Sequence, residues 1–220
     1  MIGTIVFDFD GVILDTERPN FESWEGVFAS HGVELDLGHW SRHIVGTADE
    51  SNVFGHLEQF TGRRVDREAV ESARRVRYLR RVNSQAPMPG VLDRLREAKA
   101  LGLNLGVASS SSRGWVEGHL QRLGILEFFG AIWTRDDVAN AKPDPEIYRS
   151  VTAALGSLPQ QALAVEDSAH GVNAAKGAGL YCVAVPNSIT RHLPLHNADL
   201  RIDSLTEFSF EDLSEELGLK

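Results

Sequence analysis

Two aspartates, Asp8 and Asp10, follow directly on the apolar run Ile2-Gly3-Thr4-Ile5-Val6-Phe7. A run of this length and type reads as a short buried strand, and residues two apart in extended chain project to the same side. Further short apolar runs span 103–108, 131–134, 162–165 and 181–185; Ser109 ends one, Glu166 and Asp167 end another, and Lys142 lies just beyond a third. If these ends share one edge, four carboxylates crowd together. A like-charge pair at ~4 Å costs on the order of 4 kcal/mol for an effective dielectric near 20. Such a cluster is stable mainly around a hard cation, and oxygen ligands with room for water suit Mg²⁺. Asp8, Asp10, Glu166 and Asp167 are therefore the candidate metal-ligating residues. A blander reading makes Asp10, Asp15 and Asp167 helix N-caps. It leaves Ser109 and Lys142 unexplained.

The elements that must position these groups follow from the pattern around them. Helical periodicity fills the gaps between strands at 91–101, 113–123, 145–155 and 169–178. Short apolar strands alternating with helices predict a doubly wound α/β core, a parallel sheet covered on both faces. Ligands of such sheets bind beyond the carboxyl ends of the strands, where all the residues above fall. The alternation is broken once. From 17 to 86 the pattern is helical, with expected helices at 19–30, 36–44, 49–60 and 66–82 and glycines at 32, 46 and 62 near the breaks. Pro87-Met88-Pro89-Gly90 then reads as a stiff linker. The expected organisation is a core of residues 1–16 and 87–220 with an inserted α-helical cap of residues 17–86.

Composition narrows the partners. With 22 Lys and Arg against 31 Asp and Glu, the net charge is −9. That argues against nucleic acid or an anionic membrane as partner. One cysteine, Cys182, excludes an internal disulfide and, lying in an apolar run, reads as a buried, inert thiol. No signal-peptide pattern opens the chain and no run approaches the ~20 apolar residues of a membrane span, so a cytoplasmic location is expected. Arg74, Arg75, Arg77, Arg80 and Arg81 read as a solvated helix face, and His39 and His43, four apart, as cap surface or packing.

Four blocks of the chain, taken in order, closely resemble the haloacid dehalogenase superfamily. Phe7-Asp8-Phe9-Asp10-Gly11-Val12-Ile13-Leu14-Asp15-Thr16-Glu17 is similar to its motif I and Val107-Ala108-Ser109-Ser110 to motif II. Ala141-Lys142-Pro143-Asp144-Pro145 is similar to motif III, and Val165-Glu166-Asp167-Ser168 with Gly171 to motif IV. The helical insert resembles the family's C1 cap. The resemblance implies a Mg²⁺-dependent hydrolase of a small phosphorylated metabolite, with catalytic residues Asp8, Asp10, Ser109 and Lys142. Asp8 would be the nucleophile and Asp10 the acid/base. Ser109, Ser110 and Lys142 would bind the phosphoryl group; Asp8, the Asp10 carbonyl and Asp167, assisted by Glu166, would hold the metal.

Within the superfamily the chain looks most like the β-phosphoglucomutase-like branch, which includes sugar-phosphate phosphatases. The mutases carry a hinge histidine where Asn20 stands here, and a cap arginine where Gly46-Thr47-Ala48-Asp49 offers an acid. Both departures favour a phosphatase over a mutase. A phospho-accepting regulatory module is a third possibility, but it would keep its site open to partner kinases, which a helical cap opposes.

Overall fold

The computed structural model describes residues 2–45 and 51–216 of the 220. The apolar run after Met1 forms β1 (Thr4–Phe7), every residue of it buried. It pairs in parallel with β2 (Asn104–Ser109) on one side and β4 (Ala162–Glu166) on the other. Beyond β2 lies β3 (Ala131–Thr134); beyond β4 lie β5 (Tyr181–Ala184) and β6 (Leu200–Arg201). The resulting order is β3-β2-β1-β4-β5-β6, all parallel. Five of the strands are those expected from the apolar runs. The sixth has two residues, one of them Arg201, and carries no apolar signature.

Alternating side chains of the strands feed two cores. Ile5, Phe7, Leu105 and Val107 meet α5 (Val91–Ala100), α6 (Arg113–Arg122) and α9 (Phe210–Glu216) on one face. Val6, Ala108, Ala162 and Ala164 meet α7 (Glu146–Ala154) and α8 (Ala169–Ala178) on the other. Short apolar strands must be covered on both sides, and here they are. Cys182 lies in the second core, fully buried, and burial pushes its thiol well above the ordinary range. Iodoacetamide should therefore leave the native protein unlabelled over minutes and modify it fully in denaturant; rapid native labelling, read by mass spectrometry, would contradict this burial.

The stretch between β1 and α5 holds α1 (Glu17–Ser30), α2 (Leu37–His43), α3 (Ser51–Thr61) and α4 (Arg67–Asn83), with no strand among its described residues. Asp36 and Asp66 start α2 and α4 by accepting the backbone N–H of His39 and Ala69. The segment 46–49 and the first residues of the expected 49–60 helix lie outside the described residues. The insert gathers its own apolar cluster around Phe21, Trp24, Phe28, Trp40 and Leu57, joined by Ile189 from the loop after β5. The 87–90 linker returns to the sheet, and the Met88 N–H donates to the Ile13 carbonyl at 2.8 Å.

One expectation for the insert is corrected. Arg77, Arg80 and Arg81 are exposed as read, but Arg74 is only 3% exposed. Its guanidinium lies 4.6 Å from the Trp24 ring centre and donates to Asn20 Oδ1 at 2.8 Å and Ser23 Oγ at 3.1 Å. Arginine can be buried in this way because its planar cation is weakly hydrated and finds aromatic and oxygen partners together. Arg75, the next residue, is exposed and lines the cleft described below.

Candidate active site

The strand order reverses at β1, whose neighbours leave in opposite directions, and a crevice opens there at the carboxyl ends. It is a cleft of about 400 Å³ between the sheet and the helical insert. Asp8, Asp10, Ser110, Lys142 and Asp167 line it from the sheet side, and Asn20, Ile44, Arg75 and Tyr78 from the insert.

Lys142 reaches in from the segment between β3 and α7. Its ammonium donates to Asp8 Oδ1 and Glu166 Oε1, both at 2.6 Å, and to the Ala108 carbonyl at 2.9 Å. Glu166 has no solvent exposure. Its Oε1 also accepts from the Tyr148 hydroxyl at 2.6 Å, while Oε2 accepts the N–H of Asp167 and of Ser168. Asp167 is gripped by Asn187, whose Nδ2 donates to Oδ2 at 2.6 Å. Burial alone would lower Lys142, but Asp8 and Glu166 outweigh it and hold the ammonium firmly protonated. Burial, with Glu166 and Asp10 beside it, pushes the Asp8 carboxyl up to about 8 against the pull of Lys142. Asp167 is driven well above the usual carboxylate range by burial and by Asp8 and Glu166. Tyr148 is raised by burial and Glu166, so it stays a phenol and a donor.

These shifts describe a centre short of positive charge. Oxygens of Asp8, Glu166 and Asp167 lie within 4.8 Å of one another. Fully ionised, the three carboxylates against the one ammonium leave two negative charges, which one dication would balance. The donors are all hard oxygens, so the residues fit Mg²⁺. Glu166, with both oxygens already accepting, stands behind Asp8 and Asp167 in such a set.

Asp10 is brought to the same cleft but into other company. Its carboxylate accepts from Trp115 Nε1 at 3.0 Å on Oδ1, and from Ser111 Oγ at 2.7 Å and Ser109 Oγ at 3.3 Å on Oδ2. Its side chain stands outside the cluster formed by Asp8, Glu166 and Asp167. Ser109 is fully buried and also accepts the Ser111 N–H, so it organises the turn. The Ser110 hydroxyl is buried without a hydrogen-bond partner, a donor in want of an acceptor oxygen at the cleft wall. None of the three aspartates is itself an N-cap: Thr16 caps α1 and Ser168 caps α8, although Asp15, one residue before Thr16, accepts the Arg18 N–H at the start of α1.

Glycines let the pieces meet. Gly11 has φ +83°, and a side chain there would run into Asp167 and Asn187. A methyl group on Gly171 would overlap the Glu166 carboxylate. Gly171→Ala should cost about 3 kcal/mol, measured as a lower urea midpoint, by displacing Glu166 or α8. An unchanged midpoint would show that the packing is looser than described.

Trp115, Tyr148, Ser111 and Asn187 were not legible as site residues in the sequence. The serine run 109–112 was the one available signal for Ser111; the others arrive through tertiary packing.

Fold and centre together define an acid-rich α/β hydrolase. The chain belongs to the haloacid dehalogenase-like hydrolase family, whose model matches residues 5–185. It is 42% identical over 218 residues, 99% of both chains, to YhcW of Bacillus subtilis (strain 168), whose phosphatase designation is provisional. It is 32% identical to the validoxylamine A 7'-phosphate phosphatase of Streptomyces hygroscopicus subsp. limoneus, over 94% of this chain and 96% of that one. Among solved structures, CbbY of Rhodobacter sphaeroides in complex with xylulose-(1,5)bisphosphate matches with a TM-score of 0.76 at 31% identity. That match covers 94% of this chain and 96% of CbbY.

Proposed function

We propose that the enzyme hydrolyses a small phosphorylated metabolite of the sugar-phosphate class through an aspartyl-phosphate on Asp8. The observation that carries this reading is the division of labour between two aspartates two residues apart. Asp8 is paired with Lys142 at 2.6 Å inside the acidic cluster, whereas Asp10 is held apart by an indole and two hydroxyls. Two carboxylates in different surroundings can take different roles.

In the first half-reaction an Asp8 oxygen attacks phosphorus as the bond to the leaving oxygen breaks, and Asp10 delivers a proton to that oxygen. In the second, Asp10 takes a proton from water, which attacks the phosphorus of the aspartyl-phosphate. Inorganic phosphate leaves and Asp8 is regenerated. Lys142 and Ser110 steady the phosphoryl oxygens, and Lys142 also favours the ionised form of Asp8 that attacks. Ser109, fully buried and bonded to Asp10, shapes the turn behind them rather than binding phosphate as the resemblance implied. Mg²⁺ would be held by Asp8, the Asp10 carbonyl and Asp167 with Glu166 behind them, and when bound would neutralise charge on the transferring group.

Residues 17–86 serve in this reading as a lid hinged near 15–17 and 86–89, closing to exclude bulk water. A mutase would need a relay at the hinge. Asn20 cannot relay a proton as histidine does, and its Oδ1 is engaged by Arg74. The test supplies β-glucose 1-phosphate with a catalytic amount of the 1,6-bisphosphate and follows glucose 6-phosphate against free phosphate. Phosphate release should dominate. Glucose 6-phosphate forming many times faster would replace the hydrolase reading with a mutase.

A further inference from the structure

Trp115, the third residue of α6, stands half-buried at the seam between the sheet and the helical insert. Its indole N–H donates to Asp10 Oδ1. On one face the ring of Tyr78, from α4, stacks with centres 5.7 Å apart and planes 13° from parallel. The buried His119 meets the indole edge-on at 4.3 Å, its own Nδ1 accepting from Arg122 Nε at 3.2 Å. Tyr78 in turn lies 5.8 Å from the Arg74 guanidinium, which is fixed to Trp24, Asn20 and Ser23 inside the insert. An unbroken line of contacts thus joins the interior of the insert to one oxygen of Asp10.

The three donors on Asp10 are not equivalent. Serine hydroxyls rotate and can donate or accept, so Ser109 and Ser111 place little constraint on Oδ2. An indole N–H is a donor only and its direction is set by the ring. A carboxylate turns easily about its terminal torsion unless such a group pins it. The indole therefore decides which oxygen faces inward and leaves Oδ2, with its adaptable partners, to hand over the proton.

We propose that Trp115 is a positioning residue that aims the Asp10 carboxylate, and that Tyr78, by stacking on it, makes this aim depend on how α4 seats against the sheet. The inference rests on the reading of Asp10 as acid/base.

The experiment compares kcat/KM for phenyl phosphate and p-nitrophenyl phosphate, nearly equal in size but unequal in need of a proton on the departing oxygen. Trp115→Phe keeps a ring for Tyr78 and removes the donor. Its kcat/KM should fall about tenfold further for phenyl phosphate than for p-nitrophenyl phosphate. Tyr78→Leu should show the same split, about threefold, with the donor in place; if Trp115→Phe does not fold, this variant carries the test. Equal losses on both substrates, as from a merely structural defect, or no loss on either, would overturn the proposal. Asp10→Asn run in parallel separates the two levels. If it lacks the split, the acid/base reading itself fails; if it shows the split and Trp115→Phe does not, only the positioning role falls.

Discussion

Asp8→Asn should abolish turnover, lowering kcat by well over a hundredfold, while the protein stays folded. Loss of a nucleophile removes the covalent path altogether, and what remains comes from binding and positioning alone. The fold should survive because the substituted carbonyl can still accept from Lys142, which now donates to Asp8 Oδ1. The amide also cannot ionise, in a cluster where burial and acidic neighbours already push the Asp8 carboxyl up to about 8. The metal-free variant should accordingly melt no lower than the metal-free parent. A variant keeping more than about a hundredth of parental kcat on p-nitrophenyl phosphate would refute Asp8 as nucleophile. Loss of activity together with collapse of the circular dichroism spectrum would instead place Asp8 among the structural residues.

Removing divalent cations should be nearly as severe. Activity should fall to background in EDTA, return with Mg²⁺, and return poorly with Ca²⁺, whose longer bonds and larger coordination number suit in-line transfer less well. Stability gives a second readout. The folded Asp8 carboxyl has its pKa raised from 3.8 to about 8, so between those values the metal-free native state holds a proton that the unfolded chain releases. Metal-free stability should therefore decline as pH rises from about 4 to about 8. A cation that binds the ionised cluster opposes this decline, so the rise in Tm produced by Mg²⁺ should be larger at pH 8 than at pH 5. Equal shifts at both pH values, or full activity in stripped protein, would remove the cluster from metal binding.

The residues expected to do chemistry were legible because each is local to a strand end. Asp8 and Asp10 follow β1, Ser109 closes β2, Glu166 closes β4, and parallel topology must bring these ends to one edge. Lys142 was legible through its motif, although its reach across to Ala108 and Glu166 was not. The residues missed are those whose role is set by a partner far along the chain. Tyr148 reads as an ordinary core position of α7 until Glu166 is found beneath its hydroxyl, and Trp115 as an ordinary helical aromatic until Asp10 accepts its N–H. Arg74 was misread for the same reason, since a run of arginines says nothing about Trp24 arriving from α1. β6 was overlooked because two residues are too few to display a period.

Ile189 belongs to the loop after β5, yet it is buried in the apolar cluster of the inserted helices. The same loop carries Asn187, which steadies Asp167 and accepts the N–H of Ile189 on its own Oδ1. On the lid reading, the insert is thus latched as well as hinged. Releasing an isoleucine into water costs about 2 kcal/mol, enough to depopulate an open state roughly thirtyfold. Position 189 then works as a dial on dwell time: a smaller side chain would let substrate and product exchange faster, and a larger one would prolong each closure. Such tuning leaves every group that meets the phosphoryl moiety unchanged, so a lineage could trade speed against retention by drift at one loop residue.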